Sequence, residues 1–175
     1  MFKYAKIINQ QTGLCEVGTG TNTAFYKSIG MTEQDVLLSD IDGNWYLADK
    51  CPRKSEEQKL SEAKIIKQAE NTRLAKLAVE NGHVVFKGAE FETNAQTVGD
   101  LTATMLLMQA GGMETYLWLS KDDQAVELSL ADFGTLGGLI AEFKNTIWQE
   151  KYLAYKTQIE QAETLETVEN IVIEY

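Results

Sequence analysis

The chain carries one histidine, His83, one proline, Pro52, and two cysteines, Cys15 and Cys51. Each scarcity closes a class of chemistry. Histidine-assisted nucleophilic catalysis would have to run through His83, which stands at a predicted strand start and reads as structural or solvent-facing. Cys15 falls within strand periodicity and Cys51 sits beside the proline, and neither has a partner base to raise its thiolate fraction. A zinc centre lacks both ligands and spacing. With no apolar leader, the two thiols are expected to stay reduced.

Positive charge is also short. Sixteen Lys and Arg face 26 Asp and Glu, for a formal net charge of -10. From Glu142 onward there are seven acidic residues against three lysines. Phosphate backbones demand a clustered positive field, so nucleic acid is not an expected partner. No apolar run approaches the roughly 20 residues of a membrane span, and membrane insertion is not expected. The opening Met1-Phe2-Lys3-Tyr4-Ala5-Lys6 lacks the apolar core of a signal sequence. The expectation is synthesis and folding in a cytoplasm, with proteins as partners.

What is present is patterned apolar sequence. At 175 residues, 44% hydrophobic and 24% charged, the chain suits one medium domain or two small ones. Phe2 to Ile8 and Leu14 to Val17 read as strands around the turn Gln10–Gly13. Gly18–Asn22 is a loop, and Thr23 to Ile29 holds one or two helical turns. Val36–Ile41 and Asn44–Ala48 flank Asp42-Gly43, a pair suited to the left-handed backbone of a hairpin turn. Ser55 to Glu80 lacks glycine and proline and balances its charges, which predicts a helix stopped at Asn81-Gly82.

From His83 a strand pair followed by a helix occurs twice. The first copy is Val84–Phe86, the turn Lys87-Gly88, Ala89–Thr93, then a helix from Val98 to Ala110. The second is Tyr116–Leu119, a turn at Lys121–Gln124, Val126–Leu128, then a long helix from Leu130. Ser129-Leu130-Ala131-Asp132 has capping-box spacing. Phe133, Leu136, Ile140, Phe143 and Ile147 form its stripe, and a shifted series follows: Trp148, Tyr152, Tyr155, Ile159, Ala162. Drift along one regular helix accounts for the shift, with a break near Asn145-Thr146 as the alternative. Gly134, Gly137 and Gly138 are expected to let a neighbouring element approach closely. Thr164 caps one further turn, and Ile171–Ile173 reads as a terminal strand.

The polar clusters have plain readings. Asp40-Ile41-Asp42-Gly43-Asn44 has the wrong phase for a calcium loop and reads as a turn. Gly18–Thr23 lacks the third glycine of a dinucleotide loop. Glu90 and Glu92 alternate on one strand and point to solvent, and Asp122-Asp123 belongs to a turn. No catalytic residue, metal ligand or cofactor site is therefore expected. Aromatic residues are the remaining candidates for recognition. Tyr116 and Trp118 share a strand face that is either core or sugar-stacking surface. Trp45 and Tyr46 lie on opposite faces of their strand, so one is expected to be exposed. With Trp148, Tyr152 and Tyr155 they make the candidate interaction surface.

The segment Val85-Phe86-Lys87-Gly88-Ala89-Glu90-Phe91-Glu92-Thr93, the helix Thr97–Ala110, the tryptophan strand, Val126–Phe133 and Ile159–Glu166 together resemble an uncharacterised C-terminal domain of bacteriophage tail proteins. The resemblance covers roughly the last 95 residues and departs at Gln124, where an asparagine is usual. Gly43-Asn44-Trp45-Tyr46-Leu47 followed by a charged helix is similar to an arrangement in tail-fibre assembly proteins. The resemblance implies a phage, prophage or tailocin tail context and brings no catalytic residue with it.

The expected fold is α+β. A strand-rich domain covers 1–52, a connector helix 53–82, and a small antiparallel sheet of two hairpins packed with two helices covers 83–175. The expected function is non-catalytic: contact with fibre or baseplate proteins at the distal tail, with self-association as dimer or trimer left open. An assembly chaperone absent from the mature particle is the alternative, and glycan binding or hydrolysis a third. Assembly in the host cytoplasm and then residence in the virion tail would follow.

Overall fold

The computed structural model describes residues Met1–Tyr175, which divide into two compact units, Met1–Lys59 and Leu60–Tyr175. The fold is α+β, strand-rich at the N-terminus and built from small antiparallel pairs packed with helices in the second unit.

In the first unit, β1 (Phe2–Asn9), β2 (Leu14–Val17), β3 (Thr32–Leu38) and β4 (Trp45–Leu47) close into a barrel in the order β1-β2-β4-β3. Every neighbouring pair is antiparallel. The interior is small: Ala5, Cys15 and Val36 are buried, with Ile7, Val17, Trp45 and Leu47 packed around them. Closure removes the unpaired strand edges that a sheet this short would otherwise present. Between β2 and β3, the helix α1 (Thr23–Ser28) starts under the side chain of Asn22, which accepts from the Phe25 amide. The β3–β4 connection spans Ser39–Asn44, with Gly43 at φ 72.

The helix α2 (Glu56–Glu80) was expected as a connector within 53–82. From Leu60 onward it belongs to the second unit. There its side chains bond the helical segment near Tyr152 and the C-terminal tail, so that stretch is a wall of the unit.

Two hairpins follow: β5 (His83–Phe86) with β6 (Ala89–Glu92), and β7 (Thr115–Leu119) with β8 (Ala125–Ser129). They stay separate two-stranded ladders, bridged where the Lys121 amide donates to the Glu90 carbonyl at 2.8 Å. Lys87 and Gly88 both hold positive φ, the requirement of a tight turn whose twist matches its strands. In the second turn Asp123 takes the positive φ, while Gln124 contributes only main-chain groups, to Ser120. The turn therefore does not require an asparagine at 124.

Helix α3 (Ala95–Gly111) is capped by Asn94 and ends on Gly112 in the left-handed region. Helix α4 (Leu130–Asn145) opens with the full capping box of Ser129 and Asp132. The core lies between the hairpins and these helices, centred on Phe91, Leu101, Met108, Leu128, Phe133 and Leu136. Of the three glycines in α4, only Gly137 faces a neighbour, with Leu101 Cδ2 at 3.6 Å from where a Cβ would sit. Gly134 and Gly138 face open space. The expected close approach holds at one position and fails at two.

Past α4 the helical run changes winding. Thr146–Tyr152 is a π-helical segment, and α5 (Leu153–Gln161) resumes regular spacing. This corrects the reading of the shifted apolar series as drift, because the wider π turn resets which side faces inward. The chain then turns into α6 (Leu165–Glu169), capped by Thr164 as expected. Ile171–Ile173 forms no strand. That segment lacks a ladder partner and is held by side chains instead: Lys67 Nζ donates to the Ile171 carbonyl at 3.2 Å.

Candidate functional site

The seven aromatic candidates scatter. In the first unit Tyr46 is buried and donates its hydroxyl to Asp42 Oδ2 at 2.7 Å. That bond, joined by one from the Asn44 amide, holds the Asp42 carboxyl down to about 2. Asp42 thus closes a loop, as the turn reading expected. Trp45 packs on the barrel interior, with Lys3 Nζ 4.1 Å from its ring centre. Neither side chain forms a free aromatic face.

In the second unit Trp118 belongs to the core, edge-on to Phe133 with ring centres 5.3 Å apart. Tyr116, two residues earlier on the same strand, is 38% exposed. The alternation also leaves Leu117 and Leu119 on the outer face, 66% and 62% exposed. Core is therefore the correct reading of Trp118, and the pair offers no stacking platform.

Trp148, Tyr152 and Tyr155 come together with helix α2 and the tail. Trp148 and Tyr152 meet edge to face at 5.2 Å. The Tyr152 hydroxyl accepts from Gln68 Nε2 at 3.0 Å. Asn71, fully buried, donates from Nδ2 to the Tyr152 carbonyl and accepts from the Tyr175 hydroxyl through Oδ1. The Tyr175 hydroxyl is pushed up to about 12, first by burial and then by the nearby Tyr155 and Tyr152 hydroxyls. This network fastens the tail and is structural.

The carboxylates also have partners. Glu90 points to solvent as expected, part-exposed, with Lys121 Nζ at 3.4 Å as an ion-pair partner and His83 Nε2 at 3.6 Å beside it. Asp132 takes Lys87 Nζ at 2.6 Å in addition to its capping role, and these contacts hold it to about 2. Cys15 and Cys51 are free thiols, and burial pushes Cys15 up.

Two further surfaces stand out, the second of which includes the candidate Trp148. On α3, Ala103, Leu106, Leu107 and Ala110 are exposed at helical spacing, opposite the buried Leu101 and Met108. Leu106 is 62% and Leu107 53% exposed. The signal was in the sequence: from Leu101 to Ser120 the only charged residue is Glu114. Apolar residues on both sides of a helix imply a second burial partner. The other surface is a groove of about 430 Å³ between α2 and the α4–π junction, lined in part by Arg73, Lys76, Lys144 and Trp148. No helix is long and apolar enough to cross a membrane.

Comparison with curated proteins gives no match, and comparison with solved structures gives none. The family model described as a domain of unknown function, DUF4376, matches residues 59–174, more than half of the 175 residues, and the chain belongs to that family.

Proposed function

We propose that the protein is a non-catalytic contact component of a bacteriophage, prophage or tailocin tail, joining fibre to baseplate or forming part of either. The single observation that carries the contact role is the exposed apolar stripe of α3, Ala103, Leu106, Leu107 and Ala110. Such a stripe on an acidic chain of ordinary charge content costs solubility unless another protein covers it. The tail setting rests on the order of motifs from Val85 to Glu166 that resembles phage tail domains. On this reading the protein folds in the host cytoplasm and then enters the particle.

Quantitative mass spectrometry of purified particles tests the proposal. A fixed copy number per particle supports a structural tail component. Presence in the infected cell but absence from the particle would replace it with an assembly chaperone, which shields a fibre surface and leaves. Cleavage of host envelope polysaccharide by the purified protein would overturn the non-catalytic reading.

A further inference from the structure

The groove between α2 and the α4–π junction is apolar at its floor and cationic at its rim. Arg73, Lys76 and Leu77 come from one stripe of α2, while Lys144 and Trp148 stand one turn apart across from them. Glu80 is the one carboxylate in the lining. Ala95 also lines it, so the first turn of α3 faces the groove. That turn contains no acidic residue to offset the positive end of its helix dipole.

Acidic residues outnumber basic ones by 26 to 16, so a cation on this surface has many potential partners. Lys59, Lys67, Lys87, Lys121 and Lys156 each have one. Arg73, Lys76 and Lys144 are among the basic residues without an ion pair, and all three line the same apolar groove. Three cations against the single carboxylate of Glu80 leave an excess of positive charge around the groove. The field they create favours an anionic occupant, most strongly where apolar walls displace water.

From this geometry we infer that the groove is a docking site for an acidic peptide segment of a partner protein, one that presents a large apolar side chain flanked by carboxylates. The apolar residue enters between Leu77 and Trp148, and the carboxylates pair with Arg73, Lys76 and Lys144. The volume of about 430 Å³ lies within the roughly 300–1,000 Å³ of pockets that enclose a ligand. Arg73 supplies the planar fork that grips a carboxylate at two points. A basic segment would meet three cations against one carboxylate, Glu80, and be disfavoured. The inference is independent of the tail assignment, since it concerns the chemistry of the occupant and not its source.

The test is selection on the full-length protein from a displayed peptide pool of random order containing Asp, Glu, Leu, Phe, Trp and Gly. A matched pool carries Lys in place of Asp and Glu. Enrichment of peptides with carboxylates around an aromatic or leucine, and none from the lysine pool, is the expected result. One enriched peptide, dye-labelled, should then bind saturably by fluorescence anisotropy and more weakly as salt rises. Its affinity should fall at least about tenfold, about 1.4 kcal/mol, in Arg73→Glu/Lys76→Glu/Lys144→Glu. Should that variant unfold, Arg73→Gln/Lys76→Gln serves instead, with circular dichroism confirming its fold. Equal enrichment from the lysine pool, no enrichment from the acidic pool, or binding unchanged in a folded variant would each overturn the inference. So would self-association in sedimentation that the charge changes abolish, which would make a second copy the occupant.

Discussion

Asn71 donates from its side-chain Nδ2 to the main-chain carbonyl of Tyr152 at 3.2 Å, where the helical run returns from π to α winding. Tyr152 stands at the N-terminal end of α5, and Asn71 gives its carbonyl a donor from outside the helix. Asn71 also receives the Tyr175 hydroxyl. One fully buried amide thus joins helix α2, the π junction and the tail. Asn71→Leu removes both side-chain bonds and leaves the Tyr175 hydroxyl only its longer contact to the main-chain carbonyl of residue 71. The expected loss is about 2–3 kcal/mol, with a melting temperature lower by roughly 2–4 °C per kcal/mol. Thermal unfolding followed by circular dichroism measures it; an unchanged midpoint would show that water satisfies those groups.

The Tyr175 hydroxyl gives this lock an alkaline limit. Its folded value lies near 12, above the ordinary 10, because ionisation would put a charge in a partly desolvated site beside two other hydroxyls. The neutral form is the one the fold favours. Its contribution is therefore complete below about pH 10 and is lost as pH rises from there through about 12. Melts across this window should show a decline that is shallower in Tyr175→Phe. Absorbance titration of the phenolates should lose one late-ionising tyrosine in the variant, while Tyr46, raised by its bond to Asp42, stays late in both.

Asp132 behaves in the opposite sense. Lys87 and the Ser129 groups hold its carboxylate to about 2, below the ordinary 3.8. Its stabilisation is present above about pH 3.8 and disappears as pH falls through about 2. Asp132→Asn should lower the melting temperature at neutral pH, and the gap from wild type should narrow as pH approaches 2. Ser129→Ala, which removes the cap accepting the Asp132 amide, should cost about 1 kcal/mol at neutral pH. A gap that widens in acid would mean that the Lys87 contact is not formed in solution.

Local chemistry explains why so much of this was readable in advance. The capping box, the Lys87-Gly88 turn and the Thr164 cap each depend on residues a few positions apart; the helix does stop before Asn81-Gly82, but Gly82 is not left-handed and is confined by the distant Phe143 ring. Closure of β1 against β3 joins Phe2 to Asp35, a pairing that no local pattern encodes. The π segment was visible only as a displaced apolar series, which a regular helix with drift would also show. Ile171–Ile173 has the composition of a strand, but a strand exists only if another edge accepts it. The groove was illegible for the same reason: Arg73 and Lys144 become neighbours only once the second unit folds.

Trp118 separates packing from recognition experimentally. Its ring lies against Phe133 within the main core, so Trp118→Ala leaves a void and an unpaired aromatic partner. The expected cost is about 3 kcal/mol, with Trp118→Phe costing less. Denaturant unfolding should report both changes as a lower midpoint. Envelope glycan binding, assayed on a folded Trp118→Phe sample, should not differ from wild type, since the ring does not stand free to stack on a sugar.

The α3 stripe calls for the reverse outcome, function lost and fold retained. Leu106 and Leu107 are more than half exposed, so replacing both with glutamate removes little buried surface, and the melting temperature should stay within about 2 °C of wild type. If another protein covers this stripe, two carboxylates in that interface lose hydration without a partner. Incorporation into purified particles should then fall by tenfold or more, read by mass spectrometry against an unaffected tail protein. Sedimentation of the isolated protein distinguishes the coverings: a wild-type oligomer that Leu106→Glu/Leu107→Glu converts to monomer identifies copies of this chain as the cover. A monomer in both cases, with lost incorporation, identifies a different tail protein. Normal incorporation of the double variant would remove α3 as the contact face, and with it the observation on which the contact role stands.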